Sequence, residues 1–128
     1  MIRISKDTGV QKYDINHIND ISVINVGGEL SRYNIRSLEE VFSSLLERGQ
    51  LSVILNFGNL NHIDYQLVRR LADHIVYFQC EGGDIKIAGA SSYVQQILQV
   101  MGFEEEIFVS VEDALMSFFV HHPDGDLQ

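Results

Sequence analysis

Apolar residues recur at helical spacing in four places along the chain, and short strand-like runs separate them. The clearest stripe is Ile35, Leu38, Val41, Phe42, Leu45 and Leu46, which lie on one face at 3.6 residues per turn and predict an amphipathic helix. Either Ser31 or Asn34 has the chemistry to cap its start, and Arg48-Gly49 ends it. A second stripe, Leu67, Val68, Leu71, Ile75 and Phe78, predicts a helix that runs toward Cys80 and stops at Gly82-Gly83. A third carries Val94, Ile97, Leu98 and Met101, with Ser91 or Ser92 as cap and Gly102 as stop. Ser110-Val111-Glu112-Asp113 has the form of a capping box for a last helix reaching Phe119.

Between these stripes the pattern shortens. Residues 10–15 alternate loosely and predict a first strand, 16–20 a turn, and 21–26 a second strand, so the pair predicts a hairpin. Gly27-Gly28 breaks the second strand, and Glu29-Leu30 leads out of it. Val53-Ile54-Leu55 predicts a buried strand, followed by a loop through residues 56–63. Residues 85–88 and 107–109 predict two further strands. Strands alternating with helices predict an α/β fold, a mixed and mostly parallel sheet with the hairpin at one end and about four helices packed on it. The expected organisation is an extension over residues 1–9, one domain over 10–120, and a polar tail over 121–128.

At 128 residues and 45% hydrophobic, the chain is long enough to bury a core of its own. Nine basic against eighteen acidic side chains give a net charge of −9, which argues against nucleic acid and anionic membrane surfaces and favours basic partners. The single Cys80 excludes an internal disulfide and fits a reducing, cytoplasmic setting. The first six residues lack the apolar core of a signal peptide, and no apolar run is long enough for membrane insertion.

No catalytic constellation is present. Gly27-Gly28 and Gly82-Gly83 lack phosphate-loop spacing, and Gly89-Ala90-Ser91-Ser92 is not a nucleophile elbow, so no enzyme and no cofactor are expected. A phosphoreceiver domain would need an acidic pocket, and only Asp64 stands near such a position. His62 with Asp64, and His121-His122, have metal-ligating chemistry but no converging partners, so no metal is expected either. Cys80 reads as a small buried hydrophobe at a helix end, and Glu104-Glu105-Glu106 as a solvated loop.

The most informative stretch is residues 53–71, a strand, a loop and a helix start. Asp64 stands at the predicted N-cap, where a carboxylate accepts first-turn N–H groups and faces the positive end of the helix dipole. Tyr65 follows it into solvent. Gln66, Arg69 and Arg70 are the other exposed positions expected to meet a partner there, with Asp73, His74 and Tyr77 on the same solvated side.

Four pieces of the chain, in order, resemble the STAS family (sulfate transporter and anti-sigma factor antagonist). They are Gly28-Glu29-Leu30; Val53 to Phe57 with Leu60 to Leu71; Ile97-Leu98 with Met101-Gly102-Phe103; and Ile107-Phe108 with Val111 to Leu115. The resemblance implies a bacterial signalling domain in transcription regulation that binds a protein, an anti-sigma factor or kinase-like regulator, through the N-terminus of the second helix. In antagonists of this family the residue after the switch aspartate is a serine that the partner phosphorylates. Tyr65 stands at that phosphorylation-site equivalent, Leu67 replaces a glycine, and Asn56 stands where the family often has aspartate. The usual serine phosphoswitch is therefore not expected. The alternatives are an assembly subunit, as a homodimer or within a larger complex, and, more weakly, a nucleotide or lipid sensor.

Overall fold

The computed structural model describes residues 2–4 and 11–120. Residue 10, the 121–128 tail and its two histidines lie outside them. Its elements are β1 (Ile2–Ile4), β2 (Gln11–Ile18), β3 (Ile21–Asn25), β4 (Gly28–Leu30), α1 (Ile35–Glu47), β5 (Ser52–Asn56), β6 (Leu60–Ile63), α2 (Tyr65–Cys80), β7 (Asp84–Ala88), α3 (Ser92–Val100), β8 (Ile107–Phe108) and α4 (Val111–Val120). The main sheet has six strands in the order β1-β2-β3-β5-β7-β8. The β1–β2 and β2–β3 pairs are antiparallel, whereas β3, β5, β7 and β8 run parallel. This is the mixed, mostly parallel α/β sheet with a hairpin at one end that the pattern predicts.

The unbroken apolar run of β5 has a direct cause. Val53 and Leu55 point into the core beneath α1, α2 and α3, while Ile54 points to the opposite face, where Ala114 of α4 covers it. Both faces of the parallel strands are therefore dry, and alternation disappears. On the first face, Ile35, Leu38, Phe42 and Leu45 of α1 meet Leu67, Leu71, Ile75 and Phe78 of α2. Val41 and Leu46 are half-buried beside them. On the second face, Lys86 Nζ donates to Ser117 Oγ at 2.9 Å and lies 4.7 Å from the Phe118 ring centre, which seats α4 on β7.

Several local expectations change. The hairpin turn is Asn19-Asp20 alone, with φ of 49° and 70°, a conformation matching tight two-residue hairpins. Asn16 and His17, read as turn residues, instead pair with Val23 and Ser22 across the ladder. The segment read as a loop before α2 contains β6, which pairs in parallel with β4. Met101 does not join the α3 stripe. The helix ends at Val100, Gly102 follows at φ +84°, and Met101 is 42% exposed. Cys80 is exposed rather than buried, because it lies on the outer side of the last turn of α2, whose inward residue is Phe78. Neither candidate caps α1 with its side chain. Asn34 occupies the N-cap position, but its amide faces back into the preceding loop. Ser91 does cap α3, accepting from Val94 N–H at 3.2 Å, and Ser110 accepts from Asp113 N–H at 3.1 Å at the start of α4.

Candidate functional site

The carboxyl ends of β3, β5 and β7 open toward the starts of α1, α2 and α3. Asn56 closes this end: its Nδ2 donates to Asn25 Oδ1 at 2.8 Å, and its Oδ1 accepts from Gly58 N–H at 3.0 Å. From there the chain enters β6, whose His62 and Ile63 pair with Glu29 and Leu30 of β4. Asp64 N–H donates to Leu30 carbonyl at 2.9 Å, which pins the start of α2 against β4.

Asp64 holds the N-cap position, with φ −63° and ψ 136°, and its backbone carbonyl accepts from Leu67 N–H at 3.0 Å. The side-chain half of the expectation is corrected. No first-turn N–H reaches the carboxylate, which faces His62 Nε2 at 3.5 Å instead. The other nitrogen of that ring, Nδ1, lies 2.9 Å from the Tyr93 hydroxyl, and the two rings stack at 5.8 Å and 28°. Asp64, His62 and Tyr93 thus form one row across the starts of α2 and α3.

Tyr65 is 48% exposed at the first position of α2, with Gln66 exposed beside it and Arg69 exposed one turn on. Arg70 is exposed but turned toward α1. Its Nε and a terminal nitrogen fork onto the Glu39 carboxylate, each at 2.6 Å, and His74 Nε2 lies 2.7 Å from the same group. The Arg70 guanidinium, helped by His74 and opposed by partial burial, holds the Glu39 carboxyl below its ordinary range. Asp64, Tyr65, Gln66 and Arg69 therefore share one rim, and Arg70 ties α2 to α1.

The other wall of the rim is the end of β4 with the 31–34 loop, where the pattern offers helix caps but no site. Asn34 Nδ2 donates to Glu29 carbonyl at 2.8 Å, Ser31 N–H donates to Asn34 Oδ1 at 2.9 Å, and Tyr33 N–H donates to Ser31 Oγ at 3.2 Å. Arg32 donates to the Tyr33 hydroxyl at 2.9 Å and lies 5.0 Å from its ring centre. Tyr33 is 81% exposed and Tyr93 is 50% exposed. The only signal for them in the sequence is position, since each stands within two residues of a helix start.

Among the described residues no group of three or more His, Cys, Asp and Glu side chains converges to hold a metal. No helix among them is long and apolar enough to cross a membrane. A cavity of about 420 Å³ lies under α4 at the opposite end of the strands, between Ser52, Lys86, Ser117 and Phe118.

The model of the STAS domain matches residues 12–114. The chain belongs to the STAS domain family. Solved structures share the fold at low identity. A Thermotoga maritima protein assigned as a candidate anti-sigma factor antagonist is 16% identical, with a TM-score of 0.75 over 82% of this chain and 92% of that one. A structure of RsbS from Moorella thermoacetica, also 16% identical, gives 0.73 over 85% and 96%. The Bacillus cell fate determinant SpoIIAA in its phosphorylated form, 17% identical, gives 0.66 over 84% and 99%. No curated protein matches the chain by sequence. The matched span takes in the four resembling pieces as far as Ala114.

Proposed function

We propose that this STAS domain is a non-enzymatic protein-interaction module that binds a regulatory protein, of the anti-sigma factor or kinase-like class, through the N-terminus of α2. The reading also holds that it works without a serine phosphoswitch. The observation that carries it is the α2 start itself. One protein whose fold it shares is assigned as a candidate anti-sigma factor antagonist, and another was solved in a phosphorylated form. In this chain the residues from Asp64 to Leu67 contain no serine or threonine. Tyr65 offers a half-exposed ring at that place. A tyrosine hydroxyl stands several ångströms further from the backbone than a serine hydroxyl, so a cleft shaped for serine does not reach it in the same pose. A ring at a helix end is instead suited to filling a recess on a partner, as tyrosines at binding hot spots do.

The test is affinity capture from the native host with wild-type protein and with Tyr65→Ser as parallel baits, followed by identification of the retained proteins. The expected result is a regulatory protein held by the wild type and depleted with the variant. Equal retention by both baits, or no retained regulator, overturns the reading.

A further inference from the structure

Two more exposed tyrosines stand at the starts of α1 and α3, as Tyr65 stands at the start of α2, and the folded core uses neither of them. Tyr33 is 81% exposed and Tyr93 is 50% exposed, so both rings leave most of their surface in water. Both are nevertheless held in place. Arg32 lies against the Tyr33 ring and donates to its hydroxyl, and the 31–34 loop, hydrogen-bonded to the end of β4, fixes the backbone beneath. His62 stacks on Tyr93 and shares a hydrogen bond with its hydroxyl. Tyr33 follows β4, which pairs with β6, and His62 of β6 contacts Tyr93, so both are tied to the strand that leads into α2. An ordered ring that faces water contributes little to folding, but it loses little side-chain entropy when a partner covers it.

We infer that Tyr33, Tyr65 and Tyr93 form an aromatic triad, two of its rings held in advance, that sets partner specificity at this end of the molecule, and that the partner is a protein of net positive charge. The inference rests on the reading of the α2 start as the docking edge. A side chain four-fifths exposed lies in no recess, and small-molecule sites are concave, so the complementary recesses belong to a macromolecule. The charge of −9 repels a second copy of the chain and steers a basic protein toward it. Arg32 lies at the rim of the triad, where it meets acceptors on the partner. Specificity follows from spacing, because two held rings and the Tyr65 ring at a helix start demand three recesses in one arrangement.

The test uses the regulator retained by the wild-type bait, produced separately, and follows its binding by surface plasmon resonance. Tyr33→Ala and Tyr93→Ala are each expected to weaken binding about tenfold, mainly through faster dissociation. Tyr93→Phe keeps the ring but loses the bond to His62, and is expected to weaken it about threefold. Tyr77→Ala, on an exposed part of α2 beyond the triad, is expected to change it less than twofold. Circular dichroism of each variant should match the wild type, since the rings are surface groups. Association of the wild type is expected to slow as salt is raised from 50 to 300 mM. If Tyr65→Ala weakens binding but Tyr33→Ala and Tyr93→Ala do not, the triad is wrong and the docking edge stands. If none of the three has an effect, the docking edge itself is wrong. A partner of net negative charge, or a wild-type dimer in sedimentation that Tyr33→Ala dissolves, overturns the assignment of a foreign basic protein.

Discussion

Replacing Gly83 by alanine tests how α2 is fastened to the sheet at the end opposite the site. Gly83 N–H donates to Phe78 carbonyl at 2.9 Å, and the next residue, Asp84, donates to Leu51 carbonyl at 2.9 Å. A Cβ on Gly83 would overlap the carbonyl oxygen and Cβ of Leu51 and come within 2.8 Å of its carbonyl carbon. Two of those three atoms are backbone, so no rotamer change relieves the clash, and the lead into β5 has to move. Overpacking of this kind costs about 1–3 kcal/mol. A strained Asp84–Leu51 hydrogen bond adds about 1 kcal/mol. Stiffening of the unfolded chain offsets about 0.4–1 kcal/mol. The expected net loss is about 1–3.6 kcal/mol, which for 128 residues lowers Tm by about 4–13 °C. Gly82 provides the comparison. Its φ is +95° with nothing within 4 Å of a Cβ, so Gly82→Ala meets only backbone strain, about 1 kcal/mol. Thermal and urea unfolding of both variants decide the matter. A Gly83→Ala protein that is no less stable than Gly82→Ala would refute the close approach of β5 and β7 at this point.

Other predictions follow from the side-chain geometry. Ser91→Ala should cost about 1 kcal/mol in urea unfolding because Ser91 caps α3, whereas Asp64→Ala should cost about half of that, since only the helix dipole and a loose pair with His62 are lost. Equal losses would mean that Asp64 caps α2 after all. Glu39→Gln should destabilise by about 1 kcal/mol at pH 7 by removing the forked bond from Arg70. The Glu39 carboxyl is held below its ordinary range, so its contribution is present above the unfolded pKa of about 4.3 and lost as pH falls through the lowered folded value. The gap between wild type and variant should therefore narrow as pH falls below about 4.3, and a gap that does not narrow on acidification would contradict the pairing. Incubation with the partner and ATP should leave residues 64–67 unmodified by mass spectrometry, and stoichiometric phosphate on Tyr65 would contradict the absence of the switch.

Long stripes and capped starts were legible because each is a local pattern. The α1 and α2 stripes need no knowledge of the rest of the chain, and Ser91 and Ser110 act within three residues of themselves. What the pattern missed depends on partners distant in sequence. β6 has only Leu60 and Ile63 as apolar positions, and its strand character comes from pairing with β4 some thirty residues earlier. Asn16 and His17 look like turn residues because β2 faces water over much of its length, so polarity there marks exposure rather than a bend. Asp64 was placed correctly, but its carboxylate turned to His62, whose own orientation is set by Tyr93 on another helix. The same holds for the site. The place of Asp64, Tyr65, Gln66 and Arg69 at a helix start was readable, whereas the proposed addition of Tyr33 and Tyr93 rests on the β4–β6 pair and the His62 contact, which no local pattern shows. Arg70 shows the converse, since its tie to Glu39 crosses from α2 to α1.

The central claim is that the Tyr65 ring, and not a phosphorylatable hydroxyl, makes the contact at the α2 start. Titration calorimetry of the identified partner against wild type and Tyr65→Ser measures this directly, because serine supplies the small hydroxyl and removes the ring. Loss of a buried aromatic anchor predicts that Tyr65→Ser binds at least tenfold more weakly, more than about 1.4 kcal/mol. Equal or tighter binding by Tyr65→Ser would contradict it.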